Sequence, residues 1–418
     1  MEEVDILIAG AGPGGCTTAI ELSRLGHSCL VLDKAEFPRD KICGDALSGK
    51  VLDTLRKIDP EMAVRLSAEP RHLDCWGVRF ISPAGEPLDV PFRMDYREVA
   101  GKETAPGYIA RRMDFDQFMF QEAKARPGVE MRTGTSVNGL QREGEGWIVE
   151  TSAGPVKARF VVAADGAQSK LARLLTGREK DERHHSAAIR AYFRNVEGLH
   201  EDGFIELHYI KDVLPGYFWI FPLSDGGANV GLGMRSDQIS DGKVNLKKEL
   251  ERVISTHPDI APRFKNAELD GKILGFGLPL GSRRVQLSGD GFALIGDAGS
   301  LIDPFTGEGI GNAMISGRLA AVRISEGFAA ENLSASFMKD YDAAVWRYLG
   351  DELKISTTLQ RLATFPRLFN FVVRRANTNP TLRETISCMF EDMDLRDRLR
   401  KPGFWLRLLF GREQAARG

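Results

Sequence analysis

Cysteine is scarce. The 418 residues hold five, Cys16, Cys29, Cys43, Cys75 and Cys388, and they stand far apart. Odd in number and without metal-ligand spacing, they exclude a disulfide framework and a zinc site and fit a reducing cytoplasm. Long hydrophobic runs are also missing, since no stretch approaches the ~18 apolar residues of a membrane span. The start, Met1-Glu2-Glu3-Val4-Asp5, lacks the basic residues and long apolar stretch of a secretion signal. Charge of one sign is missing too, and a net charge of −2 argues against a dedicated nucleic-acid binder. Repeats and low-complexity tracts are absent. What remains is the expectation of a soluble, intracellular globular chain, long enough for two or three domains.

Three strand-like runs end in glycine-bearing turns. The first, Val4 to Ala9, enters Gly10-Ala11-Gly12-Pro13-Gly14-Gly15, and Ala19, Ile20, Leu22 and Leu25 follow at helical spacing. Gly10 permits a tight turn, Gly12 lets backbone approach a pyrophosphate, and Gly15 lets helix and strand pack closely. The helix start at Pro13 and Gly14 then holds an anion. A second strand, Ser28 to Leu32, ends in Asp33 and Lys34, and an acid there suits an adenosine ribose hydroxyl. The second run, Arg159 to Ala164, ends in Asp165-Gly166-Ala167-Gln168-Ser169. The third, Gly291 to Ile295, ends in Gly296-Asp297-Ala298-Gly299 and continues through Pro304-Phe305-Thr306-Gly307-Glu308-Gly309-Ile310 into a helix. Asp297 is set to hydrogen-bond a polyol chain. Gly307 and Gly309 can aim N–H groups at an electron-rich ring edge.

The stretch Leu214-Pro215-Gly216-Tyr217-Phe218-Trp219-Ile220-Phe221-Pro222 reads as a strand with Tyr217, Trp219 and Phe221 on one face. Phe218 and Ile220 share the other, so both faces are covered. Ser224-Asp225-Gly226-Gly227 turns it into a hairpin with Ala228 to Gly233. The aromatic face is either sheet core or the wall of a ligand cavity.

The strand–GxGxxG start, the central Ala-Asp-Gly-Ala-x-Ser and the late Gly-Asp-Ala together resemble FAD-dependent enzymes of the para-hydroxybenzoate hydroxylase superfold. Within it, Lys41-Ile42-Cys43-Gly44, Ala188 to Phe193, the Pro-Gly-Tyr-x-Trp-x-Phe-Pro strand and Pro304 to Ile310 resemble the geranylgeranyl reductase family over roughly residues 4 to 325. The resemblance implies an α/β (α+β) fold: a Rossmann-like FAD-binding domain, an antiparallel β-sheet substrate domain and a C-terminal helical segment. It implies that Gly10, Gly12, Pro13, Gly14, Gly15, Asp33 and Lys34 hold the ADP half of FAD. Asp165 and Gly166 belong to the central motif. Gly296 and Asp297 would meet the ribityl chain, and Gly307, Gly309 and Ile310 the flavin edge. Lys41, Cys43 and Gly44 run beside the flavin ring, and Arg112 either reaches the FAD phosphate or ribose region or is simply exposed. The implied activity is saturation of carbon–carbon double bonds in isoprenoid chains of lipids or quinones, which makes Tyr217 and Trp219 cavity wall and Phe221 core.

Hydride from reduced flavin needs a matching proton at the other alkene carbon. Cys43 is the candidate donor, with Lys41 or Arg39 to stabilise its thiolate, or it is a buried inert cysteine. Tyr217 is a second candidate, better suited to positioning. No second dinucleotide motif is visible, so NAD(P)H would dock transiently or a ferredoxin-like protein would serve as donor. The FAD domain is expected as residues 1–72, 103–178 and 272–331, the substrate domain as 73–102 and 179–271, and the helical region as 332–418. From residue 361 basic residues outnumber acidic ones roughly two to one. Phe365 to Arg375 and Phe404 to Phe410 therefore read either as interfacial helices touching a membrane or as a capping bundle with snorkelling arginines. The alternatives carried are an FAD monooxygenase or halogenase, and a flavin-binding lipid carrier or electron-transfer protein without turnover. Halogenases of this superfold resemble Trp-x-Trp-x-Ile-Pro, and Tyr217 departs from that pattern.

Overall fold

The computed structural model describes residues 1–380 together with Leu382, Arg383 and Ile386. Ile6, Leu7 and Ile8 are successive, apolar and fully buried. A strand apolar on both faces must be covered on both, which a parallel sheet under helices provides. Glu2–Ala9 accordingly pairs in parallel with Cys29–Leu32 on one side and Gly154–Ala163 on the other. Phe292–Leu294 pairs in parallel with the far edge of Gly154–Ala163. The register brings Ala9, Ala163 and Leu294 abreast. The three glycine-bearing turns therefore leave one edge of one sheet, side by side. Val129–Arg132 and Ser288–Gly289 close the two ends, and the hairpin Val137–Glu143 and Gly146–Thr151 branches from Gly154–Ala163. Helix Pro13–Arg24 lies against helix Ile310–Ala329 at close quarters. The missing side chains allow it, since a Cβ on Gly317 would stand 2.6 Å from the Gly14 carbonyl oxygen.

A second sheet carries the aromatic strand. Its order is Glu268–Pro279, His185–Arg194, Ala228–Arg235, Tyr217–Pro222, Ile205–His208, Gly77–Ile81 and Pro87–Pro91. Neighbours are antiparallel except Ile205–His208 with Gly77–Ile81, which run parallel. Two details differ from the sequence reading. The long edge strand Glu268–Pro279 pairs along His185–Arg194 and runs as one element across 271/272, where a domain border was expected. The chain around Trp76, which the sequence reading placed wholly in the substrate domain, divides between two sheets: His72–Cys75 joins a small sheet with Ala46–Leu47 and Gly107–Ala110, and Gly77–Ile81 joins the large one. The chain crosses between sheets at Trp76-Gly77, where a Cβ on Gly77 would meet Phe204 at 2.6 Å.

Both faces of the aromatic strand are covered, as its alternation requires. Phe218 and Ile220 pack with Val230, Leu232, Leu250, Val253 and Phe264. Trp219 and Phe221 pack with Val78, Phe80, Leu207, Tyr209, Ala363 and Val373 on the other side, with Tyr217 half-buried beside them. That second face looks toward the C-terminal helices Ala335–Leu362 and Pro366–Thr378. Among the described residues no helix is long and apolar enough to cross a membrane.

Candidate active site

The first glycine turn is shaped by close backbone approach. Gly10 has φ +115°, and a Cβ there would stand 2.3 Å from the Ala164 oxygen. A Cβ on Gly15 would stand 1.9 Å from the Gly10 oxygen. Helix Pro13–Arg24 starts with no side-chain cap, so its leading N–H groups are turned to whatever lies before them. Asp33 ties the turn down: its carboxylate accepts the Ala11 N–H at 2.8 Å and the Ala35 N–H at 2.9 Å. Lys34 is exposed. The Asp297 carboxylate, on the third turn, accepts no hydrogen bond among the described residues. Burial raises its pKa, and the Lys41 and Arg112 charges pull it back. An uncapped helix start and a free carboxylate two strands over fit the phosphates and the polyol chain of FAD.

The loop bearing Cys43 is clamped between the two sheets. Arg112 is buried, not exposed, and its guanidinium meets Asp116 through two bonds of 2.6 and 2.8 Å. Arg39 donates to the same carboxylate at 2.8 Å. Burial works against the Arg112 charge, but Asp116 and then the adjacent Cys43 thiol outweigh it and raise its pKa. On the substrate-sheet side, Arg190 donates to Asp40 at 2.9 Å. Asn229 donates to the Cys43 carbonyl and to Asp45 Oδ2, each at 2.8 Å. Asp45 also accepts from Tyr192 at 2.8 Å, and Asn229 Oδ1 accepts the Trp219 indole N–H at 2.9 Å. Asp45 is fully buried at φ +71°. Burial pushes its carboxyl up to about 6, against the pull of Asn229, Tyr192, Arg190 and Arg112.

The third motif meets the aromatic strand directly. Tyr217 donates to the Thr306 carbonyl at 2.5 Å, and a Cβ on Gly307 (φ +75°) would stand 2.8 Å from the Tyr217 hydroxyl. Burial, then Asp303 and Cys43, raise the Tyr217 pKa, so the hydroxyl stays protonated and donates. Glu308 fixes the loop through Ser48 at 3.0 Å and Lys50 at 3.2 Å. Phe305 stacks on Tyr209 at 5.8 Å between centroids, and Tyr209 meets Tyr217 at 5.9 Å and Phe369 at 4.4 Å. Trp219 packs against Gly231, where a Cβ would come within 2.1 Å of the ring. Gly44 has the same relation to Phe221, at 2.8 Å.

Most residues singled out from the sequence therefore converge. Gly10 to Gly15, Asp33, Asp297, Gly307 to Ile310, Lys41, Cys43, Gly44, Arg112, Tyr217 and Trp219 line or support one region. Asp165 is different, because both of its oxygens serve the cap of helix Lys170–Thr176, through Ser169 at 2.5 Å and the Leu171 N–H at 3.2 Å. Asp45, Asn229 and Tyr192 were not singled out. Their only signal was adjacency to quoted motifs.

Residues 3–324 match the FAD binding domain family. A digeranylgeranylglycerophospholipid reductase of Methanothermobacter thermautotrophicus is 33% identical over 367 residues, which are 84% of this chain and 85% of that one. The chain belongs to the geranylgeranyl reductase family of FAD-dependent oxidoreductases. A menaquinone reductase of Mycolicibacterium smegmatis is 28% identical over 90% of this chain and 89% of its own. A geranylgeranyl bacteriochlorophyll reductase-like protein of Thermoplasma acidophilum superposes with a TM-score of 0.75 at 25% identity, covering 94% of this chain and 93% of the other. A flavin-dependent brominase superposes at 0.72 with 24% identity over 93% and 94% of the two chains, a likeness of fold alone. FAD is thus the cofactor of this family member, and the chain is an oxidoreductase.

Proposed function

We propose that this oxidoreductase saturates carbon–carbon double bonds in an isoprenoid chain attached to a lipid or quinone-like head group. The observation that carries the reading is the seating of Tyr217, at the head of the aromatic row, against the Thr306-Gly307 loop, so that the apolar strand adjoins the flavin-edge candidates. A long apolar substrate needs such walls and few polar contacts. The names of the relatives support the same substrate class. The Tyr217 departure from the halogenase pattern weighs for reduction over the monooxygenase and halogenase alternative. The complete Pro304 to Ile310 loop weighs against a carrier without turnover.

In this reading Gly10 to Gly15, Asp33 and Arg112 hold the ADP half of FAD, and Asp297 and Gly307 to Ile310 the flavin half. Reduced FAD supplies the hydride. The alkene gains that hydride on one carbon and the Cys43 thiol proton on the other, leaving a thiolate beside the Arg112 guanidinium until solvent reprotonates it. Tyr217 stays protonated and orients the chain. NAD(P)H or a ferredoxin-like protein, docking transiently, returns two electrons. The domain borders given above are kept as a proposal, with the strand Glu268–Pro279 assigned whole to the substrate sheet. The test is product mass. Dithionite-reduced protein with a geranylgeranyl-glycerol lipid is expected to add two hydrogens per saturated bond, and in heavy water both are deuterium, because dithionite supplies only electrons and both the flavin N–H and the thiol proton come from solvent. Cys43→Ala is expected to lower kcat about a hundredfold or more with KM and FAD content unchanged. Full activity in that variant removes Cys43 as the donor.

We also infer a cytoplasmic protein that touches the membrane surface. Leu362, Phe365 and Leu368 are exposed beside Arg367 at the start of the helix Pro366–Thr378, which suits an interfacial segment. The second basic–aromatic stretch, Phe404 to Phe410, lies outside the described residues. Phe365→Ser with Leu368→Ser is expected to weaken flotation with anionic phospholipid vesicles about tenfold or more. Unchanged flotation contradicts the contact.

A further inference from the structure

Beside the turn Gly296–Gly299, to which Arg178 is bonded, a cavity of about 300 Å³ is lined by Thr176, Arg178, Arg283, Arg284, Val285 and Gln286. That volume is at the small end of ligand sites. Thr176 ends the helix Lys170–Thr176, and Val285 and Gln286 lead into the edge strand Ser288–Gly289. None of the six was assigned to FAD, to the substrate or to catalysis.

Three guanidiniums in one cavity repel each other, so something must compensate them. Among the described residues neither Arg178 nor Arg284 has a carboxylate partner. Arg284 lies over the Trp346 ring at 5.9 Å, and Arg283 reaches Asp181 at 3.2 Å, a carboxylate that Arg183 also holds. Arg178 donates one nitrogen to the Ala298 carbonyl, and its other terminal nitrogen, Nη1, is buried without any hydrogen-bond partner. A buried donor left unpaired costs about 1–3 kcal/mol, more when charged. The local field agrees. Burial and then the Arg283 charge lower the Arg178 pKa, and the same two causes head those that lower nearby His184. The C-terminus of the helix Lys170–Thr176 offsets roughly half a charge. One shared carboxylate offsets at most one more. The excess is close to the charge of about −1.5 to −2 that a phosphate group carries near neutral pH.

We propose that this arginine pocket binds a phosphate-bearing anion, at a site separate from that of FAD. The planar forks of Arg178, Arg283 and Arg284 match the geometry of phosphate oxygens, and Arg178 and Arg284 gain the negative partner they lack among the described residues. The occupant braces the turn Gly296–Gly299 through Arg178 and Ala298, which adjoins Asp297. The phosphate comes from one of three sources: free phosphate, a nicotinamide dinucleotide, or the head group of a phospholipid. The proposal does not depend on which double bond the enzyme reduces.

The experiment uses the FAD-loaded protein. Inorganic phosphate is titrated by calorimetry and by thermal shift, against chloride at equal ionic strength. Saturable stabilisation by phosphate and not by chloride is expected. It is expected to weaken about tenfold or more in Arg284→Gln and further in Arg283→Gln/Arg284→Gln, with FAD content unchanged, and to recover in part in Arg284→Lys. The same titration with 2′,5′-ADP and with glycerol 1-phosphate separates the sources. Whichever binds at least tenfold more tightly than inorganic phosphate names the ligand, and equal affinities name free phosphate. Phosphate and chloride acting alike, undiminished binding in the double variant, or binding only after FAD is removed each overturn the proposal.

Discussion

Gly15→Ala is expected to yield a colourless protein. The added Cβ stands 1.9 Å from the Gly10 oxygen and 3.4 Å from the Ala164 side chain, and both neighbours belong to parallel strand ends that cannot swing aside. Gly10 itself has no slack, since its own Cβ position is 2.3 Å from the Ala164 oxygen. The turn must therefore lift, carrying the uncapped helix start with it. FAD affinity is expected to fall at least about a hundredfold, or about 2.7 kcal/mol. Stability falls by the roughly 1–3 kcal/mol of a forced overpacking. Gly26→Ala is the control. Gly26 also has a positive φ, +85°, but nothing lies within 4 Å of its Cβ position. It is expected to cost about 1 kcal/mol of backbone strain and to retain FAD. The flavin-to-protein absorbance ratio after gel filtration reads both. A yellow Gly15→Ala protein contradicts the account of the turn.

Asn229→Ala is expected to damage the second layer without emptying the first. Asn229 is fully buried and serves the Trp219 indole, the Cys43 carbonyl and Asp45 together. Its loss leaves three buried groups short of a partner, at about 1–3 kcal/mol each. It also frees the Cys43 loop from the substrate sheet, so turnover is expected to fall tenfold or more while FAD remains. The stability deficit has a pH signature. The folded Asp45 pKa of about 6 lies above its ordinary 3.8, so the native state binds more protons between the two. The Asp45 contribution is therefore most favourable at low pH and declines as pH rises through that window. Without the Asn229 hydrogen bond the folded pKa climbs further. The deficit in Tm is thus expected to be larger at pH 8 than at pH 5. Equal deficits at the two pH values contradict the link between Asn229 and Asp45.

These two variants probe features of unequal visibility in the sequence. The Gly10 to Gly15 turn is local: strand, glycines, helix and Asp33 all lie within one continuous stretch, and their physical roles follow from spacing. The same holds for the aromatic strand, whose alternation foretold two covered faces. The Asn229–Asp45 clamp is not local. Its members are 184 residues apart, and nothing near Asp45 announces that it will be buried at a positive φ. The edge strand Glu268–Pro279 was missed because Gly271, Gly275 and Gly277 break its alternation. Gly277 has a physical reason, since a Cβ there would meet the His185 ring at 2.8 Å. The parallel pairing of Ile205–His208 with Gly77–Ile81 joins distant segments, and strand composition carries no direction. Asp165 was placed by the acidic turn that ends its strand, and the hydrogen bonds of its oxygens to Ser169 and Leu171 at the start of the next helix were not legible from that turn. The arginine pocket likewise gathers Arg178 with Arg283 and Arg284 from remote parts of the chain.

The site as a whole joins two layers. The parallel sheet presents its turns and Asp297 from one side, and the second sheet presents the aromatic row from the other. The Cys43 loop is bonded to the second sheet through Asn229, and its thiol lies close enough to the Arg112 guanidinium to act on its charge. Chemistry between a flavin and an apolar chain needs that junction to hold. The most direct measurement is a single turnover without oxygen. The protein is reduced anaerobically with dithionite, excess reductant is removed, a geranylgeranyl lipid is mixed in, and the yellow absorbance is followed as product is weighed. Return of the yellow colour without oxygen, with one flavin reoxidised per double bond saturated, is the predicted result. A flavin that stays reduced until air is admitted, and a product that then carries oxygen, would contradict it.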